Sequence, residues 1–262
     1  MTSSGPRPKV LVLHGQAQNA IYFSKKLKNL RELCKEQYEL VFIDGPFKLH
    51  PVSTNSEPFP AHGPAQDREF RAWWGVDMAS KILTYGLEEC LMMLKEVLMG
   101  NHFAGVLGFS QGATTALLLA ALLEKPSLYP SFSHNGQAPH PPFQFCISIS
   151  PAIPTHPLIR HVMSLPYSTA TLHLSGKTDV VVDNAEPFIS WSTNGRVEEH
   201  PGGAKYLTKH SIKLLTVSLT DILGHFVPPA VKWQKLLYDY MMEWCSPCAG
   251  RRTLYAFYYF VP

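Results

Sequence analysis

The sequence contains no apolar run of the roughly 18 residues that a membrane-spanning helix needs. Its N-terminal stretch, MTSSGPRPKVLVLHG, also lacks the long apolar segment of a secretory signal. Both absences argue against a membrane-embedded or secreted protein. We therefore expect a soluble intracellular protein, located in the cytoplasm or, as the alternative, in the nucleus.

An excess of charge of one sign is also missing. The chain has 23 Lys and Arg residues against 20 Asp and Glu residues, which gives a formal net charge of +3, and these residues are scattered along its length. A protein that follows the phosphate backbone of a nucleic acid needs a cluster of basic side chains. The sequence therefore argues against a nucleic-acid partner.

Cysteine is scarce, with five residues in a chain of 262. An odd number of widely spaced cysteines fits reduced thiols better than a disulfide framework. Cys245 and Cys248 have the spacing of a redox or metal-binding pair, but one such pair without a second is a weak signal. We predict no metal site and no redox role.

Short apolar runs alternate with helical patterns along the chain. Runs bounded by Gly, Pro or Asp are typical of strands that are buried on both faces of a sheet. Leucines at three- and four-residue steps between Leu83 and Leu98 form one apolar helical stripe. This alternation predicts a single α/β domain with a mostly parallel sheet and helices on both faces. The predicted strands are 9–13, 40–43, 105–108, 143–149 and 171–174, and the predicted helices are 19–35, 82–99, 111–123 and 229–244.

Two parts of the chain break this rhythm. Residues 45–71 show little periodicity and contain Pro46, Pro51, Pro58, Pro60 and Pro64. An irregular segment after the C-terminal end of a strand often carries substrate contacts in α/β enzymes, and an ordinary surface loop is an equal alternative. Residues 245–262 form an atypical tail rich in aromatic side chains, to which we assign no site.

The stretch GFSQG, residues 108–112, matches the G-x-S-x-G pattern of a catalytic serine. It follows an apolar run and opens a helical pattern, which is where an α/β-hydrolase places its nucleophile. Gly108 and Gly112 leave room for a sharp turn that exposes the Ser110 hydroxyl above the sheet. We therefore predict that Ser110 is the nucleophile. The alternative is a serine that caps a helix beside two packing glycines.

A serine nucleophile also needs donors for the oxyanion and a carboxylate that orients its base. The backbone N–H groups of Gln111, at the helix start, and Gln16, after the first strand, are the candidate donors. We expect a structural role for His14. Asp179 follows a predicted strand and is the candidate acid, with Asp183 as the second candidate. For either aspartate the alternative is a local turn interaction.

Several motifs together resemble the fungal FSH-type serine hydrolases, which are related to the ovarian-cancer-associated hydrolase OVCA2. The matching stretches are LHGQAQNA (13–20) with Phe23, RAWW (71–74), GFSQGA (108–113), SIS (148–150) and GKTD (176–179). The resemblance implies an α/β-hydrolase fold, cleavage of esters or thioesters, and no cofactor. It supports Ser110 as the nucleophile and Asp179 as the acid. Some fungal members resemble thioesterases that release a polyketide from its synthase, so such an acyl chain is a candidate substrate.

The chain departs from this family at its last motif, which reads approximately HPGGHFVP with the second histidine as the base. Here HPGG (200–203) and HFVP (225–228) are separated by residues 204–224. Three explanations are open: a surface excursion, a retained intron translated in frame, or an element that moves the base. We favour the intron because both halves of the motif are intact. The resemblance implies that His225 is the general base, since it keeps the residues that follow the family's base.

The leading hypothesis is a serine hydrolase that acts on a small-molecule acyl ester or thioester, free or bound to a carrier. The alternative is a noncatalytic binding protein of the same fold, in which residues 204–224 displace the base. The distance between the His225 ring and the Ser110 hydroxyl distinguishes the two. Trp73 and Trp74 either line an acyl pocket or pack in the core.

Overall fold

The structure, a computed structural model, describes residues 5–49, 69–76, 84–152, 156–179, 186–202 and 224–245. The strands in these ranges are β1 (Lys9–Leu13), β2 (Glu39–Ile43), β3 (Phe47–Leu49), β4 (Phe70–Ala72), β5 (Gly75–Val76), β6 (Thr84–Tyr85), β7 (Phe103–Phe109), β8 (Phe145–Ile149), β9 (Ala170–Gly176) and β10 (Gly195–His200). Six of them form one parallel sheet in the order β10-β9-β8-β7-β1-β2. The remaining four form two small antiparallel pairs, β3 with β4 and β5 with β6.

Helices cover both faces of this sheet. They are α1 (Ala20–Lys26), α2 (Lys28–Cys34), α3 (Leu87–Met99), α4 (Gln111–Glu124), α5 (Pro157–Val162), α6 (Glu186–Trp191) and α7 (Val231–Glu243). Residues of α3, α4 and α5 share one buried cluster, and residues of α1, α2 and α7 share the other. The result is the three-layered arrangement of an α/β-hydrolase fold, as predicted.

Strand β1 explains why the central strands read as continuous apolar runs. Its side chains alternate between the two faces, so Leu11 and Leu13 join the first cluster while Val10 and Val12 join the second. All four are fully buried, because helices cover both sides. The five strands predicted from such runs are therefore present, and each end lies within two residues of its prediction.

Two predicted helices have different bounds in the structure. The predicted helix 19–35 is divided into α1 and α2 at Leu27, which leaves helical geometry (φ −94°, ψ 25°) while its side chain stays buried. The predicted helix 82–99 begins only at Leu87, because Gly86 adopts a left-handed conformation (φ 78°) and the two residues before it form β6. The apolar stripe of this helix is buried from Leu87 to Leu98, whereas Leu83 lies outside the described residues.

The sequence pattern did not indicate β10. Among the described residues this strand, GRVEEH, pairs only with β9 and lies at the sheet edge, and of its side chains only that of His200 is buried. An edge strand that faces solvent needs no apolar run, so its sequence reads as a polar loop.

Several predictions fall on parts of the chain outside the described residues. The irregular segment 45–71 is described at its two ends, where β3 and β4 pair with each other, but not at 50–68. Asp183, residues 204–223 and the tail beyond Cys245 are also outside the described residues. Within the described ranges, no helix is both long enough and apolar enough to span a membrane.

The contact between α4 and β1 should be sensitive to one added methyl group. A Cβ atom on Gly112 would lie 2.3 Å from the carbonyl oxygen of Leu13, and backbone atoms cannot move aside as a side chain can. We expect Gly112→Ala to lower the free energy of unfolding by about 1–3 kcal/mol, measured by urea denaturation. Gly100→Ala is the control, since a Cβ atom on Gly100 would lie 3.5 Å from its nearest contact, the Glu96 carbonyl oxygen. Equal stability of the two variants would contradict this prediction.

Candidate active site

Ser110 lies in the sharp turn between β7 and α4. Its backbone has a positive φ of 54° with ψ −119°, a strained conformation for a residue with a side chain. The turn is possible because residue 108 is a glycine. A Cβ atom at this position would lie only 2.1 Å from the Gly112 carbonyl oxygen. Ser110 occupies the N-cap position of α4, but its side chain makes no capping hydrogen bond. Its hydroxyl points to another partner.

That partner is His225. The Nε2 atom of its ring lies 2.9 Å from the Ser110 Oγ atom. On the other side of the ring, Nδ1 lies 3.1 Å from both carboxylate oxygens of Asp179. The side chains of His225 and Asp179 are 6% and 1% exposed, so this hydrogen-bonded pair is screened from solvent. The structure thus brings together the three residues that the sequence nominated as nucleophile, base and acid.

Chemically, this is an arrangement that can activate a hydroxyl. A ring nitrogen within hydrogen-bond distance of a serine can accept its proton, and a carboxylate on the opposite nitrogen fixes the tautomer and stabilises the charged ring. Phe109 packs against the same imidazole, with ring centroids 5.1 Å apart. The orientation of His225 is therefore held by both a polar contact and an apolar contact.

The two halves of the interrupted motif lie close together in the structure. Gly202 precedes the separating segment 204–224 and Gly224 is its last residue, and both pack against the side chain of Thr178: a Cβ atom on them would lie 2.1 Å and 2.6 Å from its Oγ1 atom. Both glycines have positive φ, 83° and 88°. The His200 and Phe226 rings also touch, with centroids 4.8 Å apart. The two halves of the interrupted motif therefore adjoin in space.

The two candidate oxyanion donors have N–H groups that remain available. In the first turn of α4, the N–H groups of Ala113 and Thr114 bond to the Ser110 carbonyl, whereas that of Gln111 makes no backbone hydrogen bond among the described residues. In the turn after β1, the same holds for the N–H of Gln16, and the neighbouring Ala17 N–H donates to Arg71. Both groups can therefore donate to a negatively charged oxygen.

His14 stabilises the turn that carries Gln16. Its Nε2 atom accepts a hydrogen bond from the Gly45 N–H at 2.9 Å, and its Nδ1 atom lies 2.7 Å from the Gly15 carbonyl oxygen. One nitrogen must accept and the other donate, which is the pattern of a neutral imidazole. Burial favours the same state, since desolvation lowers the pKa of His14. This is a structural role, as the sequence led us to expect.

Trp73 and Trp74 belong to the core. Their residues are 0% and 1% exposed, and both lie in the cluster that contains α3 and α4. The Trp73 indole N–H donates to the His14 carbonyl oxygen at 2.7 Å. This environment favours the core-packing alternative over an acyl pocket.

Sequence reasoning missed the contributions of the Gln111 side chain and of Thr178. The Gln111 amide, 2% exposed, bonds to the backbone of Trp73 and Trp74, and Thr178 receives the glycines described above. Both residues lie inside motifs that were recognised, GFSQGA and GKTD, but their roles depend on partners far away in sequence. The one indirect signal in the sequence concerns Gln111: its partners Trp73 and Trp74 lie in RAWW, another of the matching motifs.

Comparison with known proteins agrees with this geometry. Residues 1–206 match the family model described as "Serine hydrolase (FSH1)". The chain is 28% identical to Esterase OVCA2 of Danio rerio over 254 residues, which cover 89% of this chain and 96% of that protein. It is 29% identical to Esterase OVCA2 of Mus musculus, over 91% of this chain and 97% of that protein.

A likeness to solved structures concerns the fold. The crystal structure of esterase PE8 superposes with a TM-score of 0.55 at 16% identity, covering 93% of this chain and 95% of that one. Because the family model spans residues 1–206, well over half of the 262 residues, the assignment does not rest on the fold alone. The chain belongs to the FSH1 family of serine hydrolases.

Proposed function

We propose that this protein is a serine esterase that cleaves carboxylic esters or thioesters through an acyl-enzyme on Ser110. The observation that carries the proposal is the continuous contact from Ser110 Oγ to His225 Nε2, at 2.9 Å, and from His225 Nδ1 to Asp179, at 3.1 Å. Membership of a serine hydrolase family and resemblance to proteins named esterases support it.

In the proposed reaction, the Ser110 oxygen attacks the acyl carbonyl while its proton passes to His225. The N–H groups of Gln16 and Gln111 donate to the oxyanion that forms. The bond to the alcohol or thiol then breaks, and His225 protonates the leaving group. Water, deprotonated by His225, attacks the acyl-enzyme; the acid is released and Ser110 recovers its proton.

The noncatalytic alternative requires His225 to be displaced from Ser110. The hydrogen-bond distance between them speaks against this alternative, and so do the shared contacts of Gly202 and Gly224 on Thr178.

We expect a fluorophosphonate probe to label the full-length chain and not its Ser110→Ala variant. An activated serine reacts with the probe, and removal of such a nucleophile typically lowers kcat by a factor of about 10⁴ or more. Ser164→Ala is the control, since Ser164 is exposed and its hydroxyl bonds only locally to the His161 carbonyl. A folded full-length chain that neither reacts with the probe nor hydrolyses esters would favour the binding-protein alternative.

The finer proposal is that the acyl group belongs to a polyketide or similar secondary metabolite carried as a thioester. It is supported by the resemblance to fungal thioesterases, whereas the names of the OVCA2 relatives indicate esters. We expect a higher kcat/KM for an N-acetylcysteamine thioester than for the ethyl ester of the same polyketide-like acid. The reverse order, or selectivity for simple fatty acyl esters, would contradict this substrate while leaving the serine hydrolase intact.

Deleting residues 204–224 tests whether this segment is needed for activity. Joining Gly203 to His225 places a glycine directly before His225, as Gly224 does now, so Thr178 can receive it. We expect this variant to remain folded, since shortening a loop changes its closure free energy only slightly. It should react with the fluorophosphonate at a rate within about tenfold of the full chain, because a glycine beside Thr178 still precedes His225. A folded deletion variant without labelling would contradict this expectation.

Sequencing the mature transcript of the native host tests whether the segment is a retained intron. A message that still encodes the segment would overturn that hypothesis.

A further inference from the structure

The two proposed oxyanion donors come from different parts of the chain. Gln16 lies in the turn between β1 and α1, and Gln111 begins α4. Their N–H groups must both point at one oxygen, and an error of about 1 Å in such a group lowers the rate by a factor of roughly 100. Some contact must therefore set the distance between the turn and the helix.

The side chain of Gln111 makes a paired contact with the backbone of a third segment. Its Oε1 atom accepts a hydrogen bond from the Trp73 N–H at 3.1 Å, and its Nε2 atom donates to the Trp74 carbonyl at 3.2 Å. The side chain is buried, so water does not compete for these groups. The amide thus uses one donor and one acceptor to hold the bend between β4 and β5, where Trp73 and Trp74 lie.

Residues 71–73, directly before Trp74, also bind the turn that carries Gln16. The Arg71 carbonyl accepts from the Ala17 N–H, and the Arg71 N–H donates to the Gln18 carbonyl, both at 2.9 Å. These two bonds lie on the C-terminal side of Gln16. On its N-terminal side, the Trp73 indole donates to the His14 carbonyl at 2.7 Å. The donor residue Gln16 is therefore fastened on both sides to residues 71–73.

We propose that Gln111 is a positioning residue that couples the two halves of the oxyanion hole through the segment 71–74. The inference rests on the proposed function. Gln111 supplies one donor through its main chain, and its side chain holds the segment 71–74, which contacts the turn that carries the other donor. Loss of the side-chain contact should therefore change the relative position of the two N–H groups, which matters in the transition state and hardly at all when substrate binds.

The test compares Gln111→Met with Gln234→Met. Gln234 is a matched control: it is also buried, and its amide also bridges two backbone groups, accepting from the Leu30 N–H at 2.8 Å and donating to the Lys26 carbonyl at 3.1 Å. It lies on the opposite face of the sheet, among α1, α2 and α7. Both variants lose a buried pair of hydrogen bonds, so both are expected to lose stability.

Only Gln111→Met should lose transition-state stabilisation. We expect its kcat to fall roughly 10- to 100-fold with KM within about threefold of the wild type, and its affinity for a trifluoromethyl ketone that mimics the tetrahedral intermediate to fall by the same factor as kcat. Gln234→Met should keep kcat and inhibitor affinity close to wild type. Equal kcat in the two variants at equal loss of stability would overturn the inference and leave Gln111 a structural residue.

Gln111→Glu gives a second readout, the pH dependence of kcat. Glutamate also has nearly the same shape as glutamine. An ionised carboxylate keeps the acceptor for the Trp73 N–H but turns an acceptor toward the Trp74 carbonyl, whereas a protonated carboxyl restores the donor. Burial raises the pKa of such a carboxyl, so the ratio of the variant's kcat to that of the wild type should rise as the pH falls. A pH-independent ratio would contradict the proposal. Absence of hydrolysis and labelling in the wild type would overturn the proposed function and this inference together.

Discussion

The close contact of α4 with the ends of β1 and β7 is the constraint on which the rest of the site depends. At Gly108 and Gly112 the nearest atoms to an added Cβ are backbone atoms, at 2.1 Å and 2.3 Å, so at these two positions main-chain atoms limit how closely the helix approaches the strands. This contact forces Ser110 into its positive φ. The strain is sustained because α4 is buried from Gln111 to Leu123 and cannot shift without exposing apolar surface.

The parallel direction of the strands then brings the residues of the site together. Because β7, β8, β9 and β10 run in the same direction as β1, all their carboxyl ends meet at one edge of the sheet. Ser110 follows β7, Asp179 follows β9, and the Gln16 turn follows β1. Residues that are far apart in sequence therefore reach one point without any long connection inside the site.

Much of this could be predicted from the sequence, and for a physical reason. Strands buried on both faces leave continuous apolar runs such as that of β1, and a nucleophile turn requires glycines at 108 and 112 whatever the rest of the chain does. The remainder depends on distant partners. Strand β10 has no apolar pattern because it lies at the edge, the start of α3 is set by the left-handed Gly86, and the Gln111 amide acquires its role only when residues 73 and 74 arrive beside it.

The interrupted motif shows why position matters more than chain length at such a site. Lengthening a loop severalfold costs on the order of 1 kcal/mol, and that cost falls on the stability of the whole fold. A displacement of His225 by about 1 Å would instead lower the rate by a factor of roughly 100. Gly202 and Gly224 both pack against Thr178, which directly precedes the candidate acid Asp179. The two halves of the interrupted motif are therefore held against one residue, next to the contact between His225 and Asp179.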